Sequence, residues 1–100
     1  MLNSRQLYLQ KLRYGKQIWF TEFAKPSTRD ADVELEYMKA LLPMLEASDA
    51  VWKYSWFATR WPYGGREGTN SSEWYLDKVV SLLEQDSSTL TPLGQFYNDF

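Results

Sequence analysis

This 100-residue chain has few side chains with which to do chemistry. It contains no histidine and no cysteine, which excludes a zinc site, a Ser-His triad, an imidazole base and a disulfide framework. Catalysis would have to use carboxylates, Tyr, Lys or backbone groups. The carboxylate in the most telling place is Glu22, within GKQIWFTEFAKP, residues 15 to 26. Ile18, Trp19, Phe20 and Phe23 make that stretch strongly apolar, and burying an unpaired charge costs several kcal/mol. Glu22 must therefore meet a partner or a polar cleft. Trp56 closes a second apolar stretch, and Trp61 and Tyr63 follow in the loop after it. A carboxylate beside exposed rings suits carbohydrate: sugar faces stack on the rings while the charge acts at the anomeric centre. From pattern alone, Glu22 could equally serve in a structural ion pair or cap a helix.

The elements that would position these residues follow from periodicity. Asn3 or Ser4 can cap a helix running to about Tyr14, with Leu9 and Leu12 on one side and Gly15 as its stop. A strand over about 17–24 follows. After the loop KPSTRDAD, with Ser27, Asp30 and Asp32 as possible caps, comes a helix to about Ala47. Its apolar stripe is Val33, Tyr37, Met38, Leu41, Leu42 and Leu45, and Pro43 should kink it or end its regular part. A second strand is expected over 50–58, with Trp52, Tyr54 and Trp56 on one face and Val51, Lys53, Ser55 and Phe57 on the other. A long polar loop leads to a helical stretch from Ser71 or Ser72 to about Gln85. Thr91-Pro92 is a cap-plus-first-turn signature for a last short helix reaching Phe100.

Helix, strand, helix, strand, helix reads as consecutive parallel βα units. Both strands are apolar on both faces, as in a covered parallel sheet, and two strands do not make a sheet that stands by itself. The chain thus advertises neighbours it does not contain, either further βα units or other copies of itself. In α/β barrels the strands' C-terminal ends build the site, and Glu22, Trp56, Trp61 and Tyr63 all fall there.

Composition narrows the partners. A net charge of −2 offers no footprint for nucleic acid, and no apolar run is long enough for a membrane span. The first fifteen residues lack a signal-peptide core. Five Trp, seven Tyr and five Phe exceed what a small core needs, so some rings should face a ligand or partner. TRWPYGGREG lacks phosphate-loop spacing, and no cofactor or metal is implied. Asn70-Ser71-Ser72 fits an N-glycosylation acceptor, which matters only in a secreted protein. Lys53 could pair with a carboxylate or snorkel at a strand edge.

YGKQIWFTEFA resembles the surroundings of the seventh strand in sugar hydrolases with a (β/α)8 barrel, where Glu follows Thr and precedes an aromatic. With VWKYSWFATR some 28 residues later and the closing LTPLGQFY, the chain resembles one group more closely. That group is the glycosyl hydrolase catalytic core family of endo-β-1,3-glucanases, glycoside hydrolase family 128. The resemblance implies an α/β fold, the C-terminal portion (about the last two βα units) of a (β/α)8 TIM barrel, with residues 1–100 forming a partial catalytic domain. It implies that Glu22 is the catalytic nucleophile and that Trp56 helps to form the sugar floor at the cleavage point. A sugar-stacking role for Trp61 and Tyr63 is inferred from position. Such enzymes retain configuration: one carboxylate attacks, and a second, roughly 5 Å away, protonates the leaving oxygen. In the family the proton donor sits on strand four, whereas this chain starts at the helix before strand seven. Glu34 and Glu36 fall on a helix outside the barrel, Glu46 at its far end, and Glu67 is a remote candidate in the loop. The substrate implied is a polysaccharide or oligosaccharide, the setting extracellular or the cell wall. The alternative is a non-catalytic carbohydrate-binding or regulatory protein derived from the barrel; a weaker one is a ring of four copies closing eight strands.

Overall fold

The computed structural model describes residues 4–64 and 75–100. Asn3, Glu67, the Asn70-Ser71-Ser72 acceptor and the caps expected at Ser71 or Ser72 lie outside the described residues. Among those described, helix α1 (Ser4–Tyr14) leads to strand β1 (Ile18–Phe20), helix α2 (Ala31–Ala47) and strand β2 (Val51–Tyr54). A 3₁₀ turn (Lys78–Val80) and helix α3 (Pro92–Asp99) complete the order. β1 and β2 pair in parallel. No helix among the described residues is long and apolar enough to cross a membrane.

Local signals set the helix ends. Gly15 adopts φ +63° after α1 and its amide donates to the Lys11 carbonyl at 2.8 Å, a left-handed stop that glycine accepts without a Cβ penalty. Of the three candidate caps before α2, Asp30 is the one used: its Oδ1 accepts from the Asp32 amide at 2.9 Å. Thr91 caps α3, its Oγ1 accepting from the Gly94 amide at 3.0 Å. α2 continues through Pro43 to Ala47 rather than ending there.

Leu7, Met38, Leu41, Leu42, Leu45, Ala50, Trp56 and Leu93 form one buried cluster, with Ile18, Phe20 and Phe23 packed against it. The helices therefore cover one face of the two-stranded sheet. On the other face Trp19 and Trp52, each 56 % exposed, meet with ring centroids 4.9 Å apart. On α1, Leu9 and Leu12 are exposed while Leu7 carries the burial.

Two expectations need correcting. The strict alternation along β2 fails because Ile18 pairs with Val51 but Trp19 pairs with Lys53. Trp52 is the extra residue of a bulge, which leaves Trp52 and Lys53 both exposed while Tyr54 turns half inward and Trp56 is buried. Lys53 lays its Nζ 5.2 Å from the Trp52 ring centroid. The helix expected to reach Gln85 is likewise absent over residues 75–85, where only the 3₁₀ turn is helical. Tertiary hydrogen bonds win there. Asp77 caps the turn through the Val79 amide at 3.1 Å, and the Leu82 and Leu83 amides both donate to the Thr59 carbonyl at 3.0 Å.

Candidate active site at the strand ends

The ladder between the two strands outlasts β1. The Ser55 amide donates to the Phe20 carbonyl at 2.8 Å, and the Phe57 amide donates to the Phe23 carbonyl at 2.9 Å. Between these bonds the first segment advances three residues and the second advances two. The surplus residue makes a second bulge at Thr21–Glu22, opposite in sense to the one at Trp52. A bulge re-aims the side chains it carries. Glu22 is exposed just past the C-terminal end of β1 and has no hydrogen-bond or ion-pair partner among the described residues. Both bland readings, structural ion pair and helix cap, lack a partner within those residues. A hollow of about 280 Å³ beside the strand ends is lined by Trp19, Thr21, Lys53 and Ser55 among others, without Glu22.

Past the end of β2, the Phe23–Phe57 bond carries the chain into a stack of rings. Phe57 and Trp61 lie 5.3 Å apart between centroids, and Trp61 and Tyr63 5.1 Å, both edge to face, a favoured geometry for aromatic pairs. Tyr63 is 43 % exposed and Trp61 half-buried. Trp61 is firmly held. Its amide donates to Ser81 Oγ at 2.8 Å, its indole N–H to the Leu76 carbonyl at 3.3 Å, and its own carbonyl accepts from Gln85 Nε2 at 2.9 Å. Arg60 Nε donates to the Glu84 carbonyl at 2.9 Å. The loop that carries the rings is thus stitched to the segment around Ser81, which is itself buried.

Trp56 is placed differently from Trp61 and Tyr63. It is 5 % exposed, its indole N–H donates to the Val80 carbonyl at 2.8 Å, and its ring packs on Phe23 at 5.3 Å. Little of the indole is left for a ligand. Glu22 and the Phe57–Trp61–Tyr63 stack thus follow the ends of neighbouring strands, joined by the Phe23–Phe57 backbone bond.

Of the other carboxylates considered as proton donors, the three among the described residues, Glu46, Glu36 and Glu34, have partners of their own. Glu46 accepts the Tyr54 hydroxyl at 2.8 Å, a bond that, with burial, pushes the Tyr54 pKa well up. Glu36 lies 3.7 Å from Lys39 on the exposed side of α2. Glu34 lies on α2, the helix the sequence assigns it to, but on its buried side, which the sequence reading missed. It is fully buried, its Oε1 accepts the Lys25 amide at 2.8 Å, and its Oε2 has no partner. Burial pushes its pKa up to about 7, against the Lys25 amide bond and charge and with the help of Asp77. A signal for it existed: Glu34 lies four residues before Met38 and seven before Leu41, squarely on the buried stripe.

A family model described as "Glycosyl hydrolase catalytic core" matches residues 3–97, and the chain belongs to that family. Among solved structures it is similar to the crystal structure of a GH128 (subgroup II) endo-β-1,3-glucanase from Sorangium cellulosum, with 29 % sequence identity and a TM-score of 0.63. That match covers 95 % of this chain and 34 % of the glucanase, so the chain spans about a third of that enzyme's length. A search of curated proteins finds no significant match.

Proposed function

We propose that this chain carries the nucleophile side of a retaining endo-β-1,3-glucanase site, with Glu22 as the nucleophile. The observation that carries the reading is the bulge at Thr21–Glu22, past the end of β1, where Glu22 is exposed and has no partner among the described residues. Glu22 attacks the anomeric carbon as the glycosidic bond breaks, giving a glycosyl-enzyme that water then hydrolyses. Trp61 and Tyr63 stack on a neighbouring sugar, while Trp56 supports the floor from below through Phe23. The two βα units are the last part of a (β/α)8 barrel, and the proton donor belongs to the barrel units for which this chain has no counterpart. Alone, the chain forfeits the acid–base contribution, about 10²–10⁴-fold, and turns over little or no glucan. The expected setting is extracellular, and the expected substrate is β-1,3-glucan.

A substrate whose leaving group departs without protonation tests the nucleophile by itself. The chain is incubated with a dinitrophenyl 2-deoxy-2-fluoro-β-glucoside, and the product is read by intact mass and peptide mapping. A single glycosyl adduct on Glu22, absent from Glu22→Gln, is the expected result. An adduct elsewhere, or none on a folded chain, would remove Glu22 from the role. The ring stack favours a second reading, carbohydrate binding without chemistry. Laminari-oligosaccharide binding equal in the chain and in Glu22→Gln, with no adduct in either, would establish that reading instead.

A further inference from the structure

The loop between β1 and α2 is held by three backbone tethers. The Phe23 carbonyl accepts the Phe57 amide, the Lys25 amide donates to Glu34, and the Ser27 amide donates to the Tyr75 carbonyl at 2.8 Å. Two of these end on backbone groups, whose hydrogen-bonding strength does not change with pH. The middle one joins the Lys25 amide, three residues along the chain from Glu22, to a carboxyl. That carboxyl is wholly buried, with one oxygen engaged and the other unpartnered, an arrangement that accommodates a proton on Oε2 while Oε1 keeps the Lys25 amide. Among the described residues, the ionisable groups that act on it are Lys25 from the loop and Asp77 from the segment before the 3₁₀ turn, and it in turn raises the pKa of Tyr37, one turn along its own helix, beyond what burial does. Asp77 is itself buried, so the Glu34 pocket sees a second carboxylate. Ser27 closes the loop at φ +61°, in the left-handed region that non-glycine residues enter only when their surroundings hold them there.

We propose that Glu34 is a positioning residue for Glu22: from beneath the loop it latches the Lys25 amide, and through that latch the placing of Glu22 depends on pH. The inference rests on the reading of Glu22 as the nucleophile, but its test does not need turnover. When Glu34 ionises, the Lys25 amide faces a charged acceptor, and charge-assisted bonds are shorter and roughly twice as strong as neutral ones. The amide is drawn toward α2, and the backbone between Lys25 and the bulge follows.

The test is an NMR titration of the 100-residue chain from pH 5 to pH 9. It follows the side-chain carboxyl carbon of Glu34 and the amide protons of Glu22 and Lys25. The expected result is a common midpoint at about 7 for all three, with the Lys25 proton moving downfield as pH rises. In Glu34→Gln, which keeps an amide oxygen for Lys25 but cannot ionise, both amide shifts are expected to be flat across that range. Should Glu34→Gln not fold, the coincidence of the three midpoints in the unaltered chain decides alone. A Lys25 amide that does not move with the Glu34 carbon, or that still titrates in Glu34→Gln, would overturn the latch. A Glu22 amide that stays still while Lys25 moves would overturn the coupling to Glu22. Loss of the glycosyl adduct at Glu22 would instead strike the nucleophile assignment, so the two failures are distinct.

Discussion

Replacing Glu34 with Gln should change how folding stability depends on pH, with a sign that burial fixes. The Glu34 pKa rises from its ordinary value of 4.5 to about 7, with loss of hydration the largest cause. Between those values the folded chain keeps a proton that the unfolded chain has released. Stability therefore falls as pH rises. The contribution is fully present below about 4.5, is lost through the window up to about 7, and stays lost above it. One pKa unit corresponds to about 1.4 kcal/mol, so a shift of this size amounts to about 3 kcal/mol. That is a large share of the roughly 5–15 kcal/mol that stabilises an ordinary domain.

The absence of histidine sharpens the experiment, because histidine is the side chain that ordinarily titrates between pH 5 and 8. Urea unfolding followed by tryptophan fluorescence at pH 5 and pH 8 is the assay. The unaltered chain should lose about 2 kcal/mol between the two, since part of the contribution is already gone at pH 5, and at a slope of about 1.5 kcal/mol per molar urea this moves the midpoint by about 1.5 M. Glu34→Gln should be nearly flat. It should match the unaltered chain at pH 5, where both side chains are neutral, and exceed it at pH 8. Parallel pH dependence in the two proteins, or stability that rises with pH in the unaltered chain, would refute the buried-acid account.

Three further outcomes are expected. A Cβ at Gly94 would sit 2.0 Å from the Leu82 carbonyl oxygen, which already accepts the Thr91 amide. Gly94→Ala should therefore cost about 2 kcal/mol through overpacking and lower the melting temperature by about 10 °C; an unchanged melt would show that α3 can shift freely. Ala58 is held at φ +61°, a conformation costing a non-glycine residue about 1–2 kcal/mol. After the entropy that glycine loses on folding, Ala58→Gly should gain about 0.5 kcal/mol in urea unfolding, and a loss would place a contact of the Ala58 methyl above its strain. Tyr63→Ala removes the most exposed ring of the stack. A stacking contribution of about 1 kcal/mol predicts laminari-oligosaccharide binding weaker by about fivefold in calorimetry, and undiminished binding would take Tyr63 out of the sugar site.

What the sequence disclosed and what it hid divide along the range of the forces involved. Gly15, Asp30 and the Thr91-Pro92 pair act within one turn of helix, and each sits where its neighbours alone would put it. The stripe from Met38 to Leu45 is equally local, a matter of spacing on one helix. Residues 75–85 carry apolar spacing that would suit a helix in isolation, yet the Leu82 and Leu83 amides are taken by Thr59, the Ser81 hydroxyl by Trp61 and the Val80 carbonyl by Trp56. Those partners lie some twenty residues away, and no local rule weighs them. The two bulges belong to the same class: neither strand alone reveals that its partner has one residue more or fewer. That is why the strand faces were misassigned at Trp52 and why Trp56, legible as a strand-end aromatic, gave no sign that its ring would be buried.

Glu34 and Glu22 make the same point from opposite directions. Each is a glutamate in an apolar neighbourhood, and transfer energies alone would keep both out of the interior. Glu22 escapes by a backbone device: an extra residue in the ladder turns it past the end of the sheet, where it is exposed. Glu34 has no such exit, because α2 holds it at the level of Met38 and Leu41 under the loop that Glu22 begins. Its charge is reduced by protonation rather than by escape. A charged glutamate there would be hard to explain as a packing residue, and a leucine would pack better but leave the Lys25 amide buried without an acceptor, at about 1–3 kcal/mol. Glutamate satisfies that amide as a neutral or a charged group. The position therefore combines a structural requirement, an acceptor for Lys25, with sensitivity to pH that glutamine would lack.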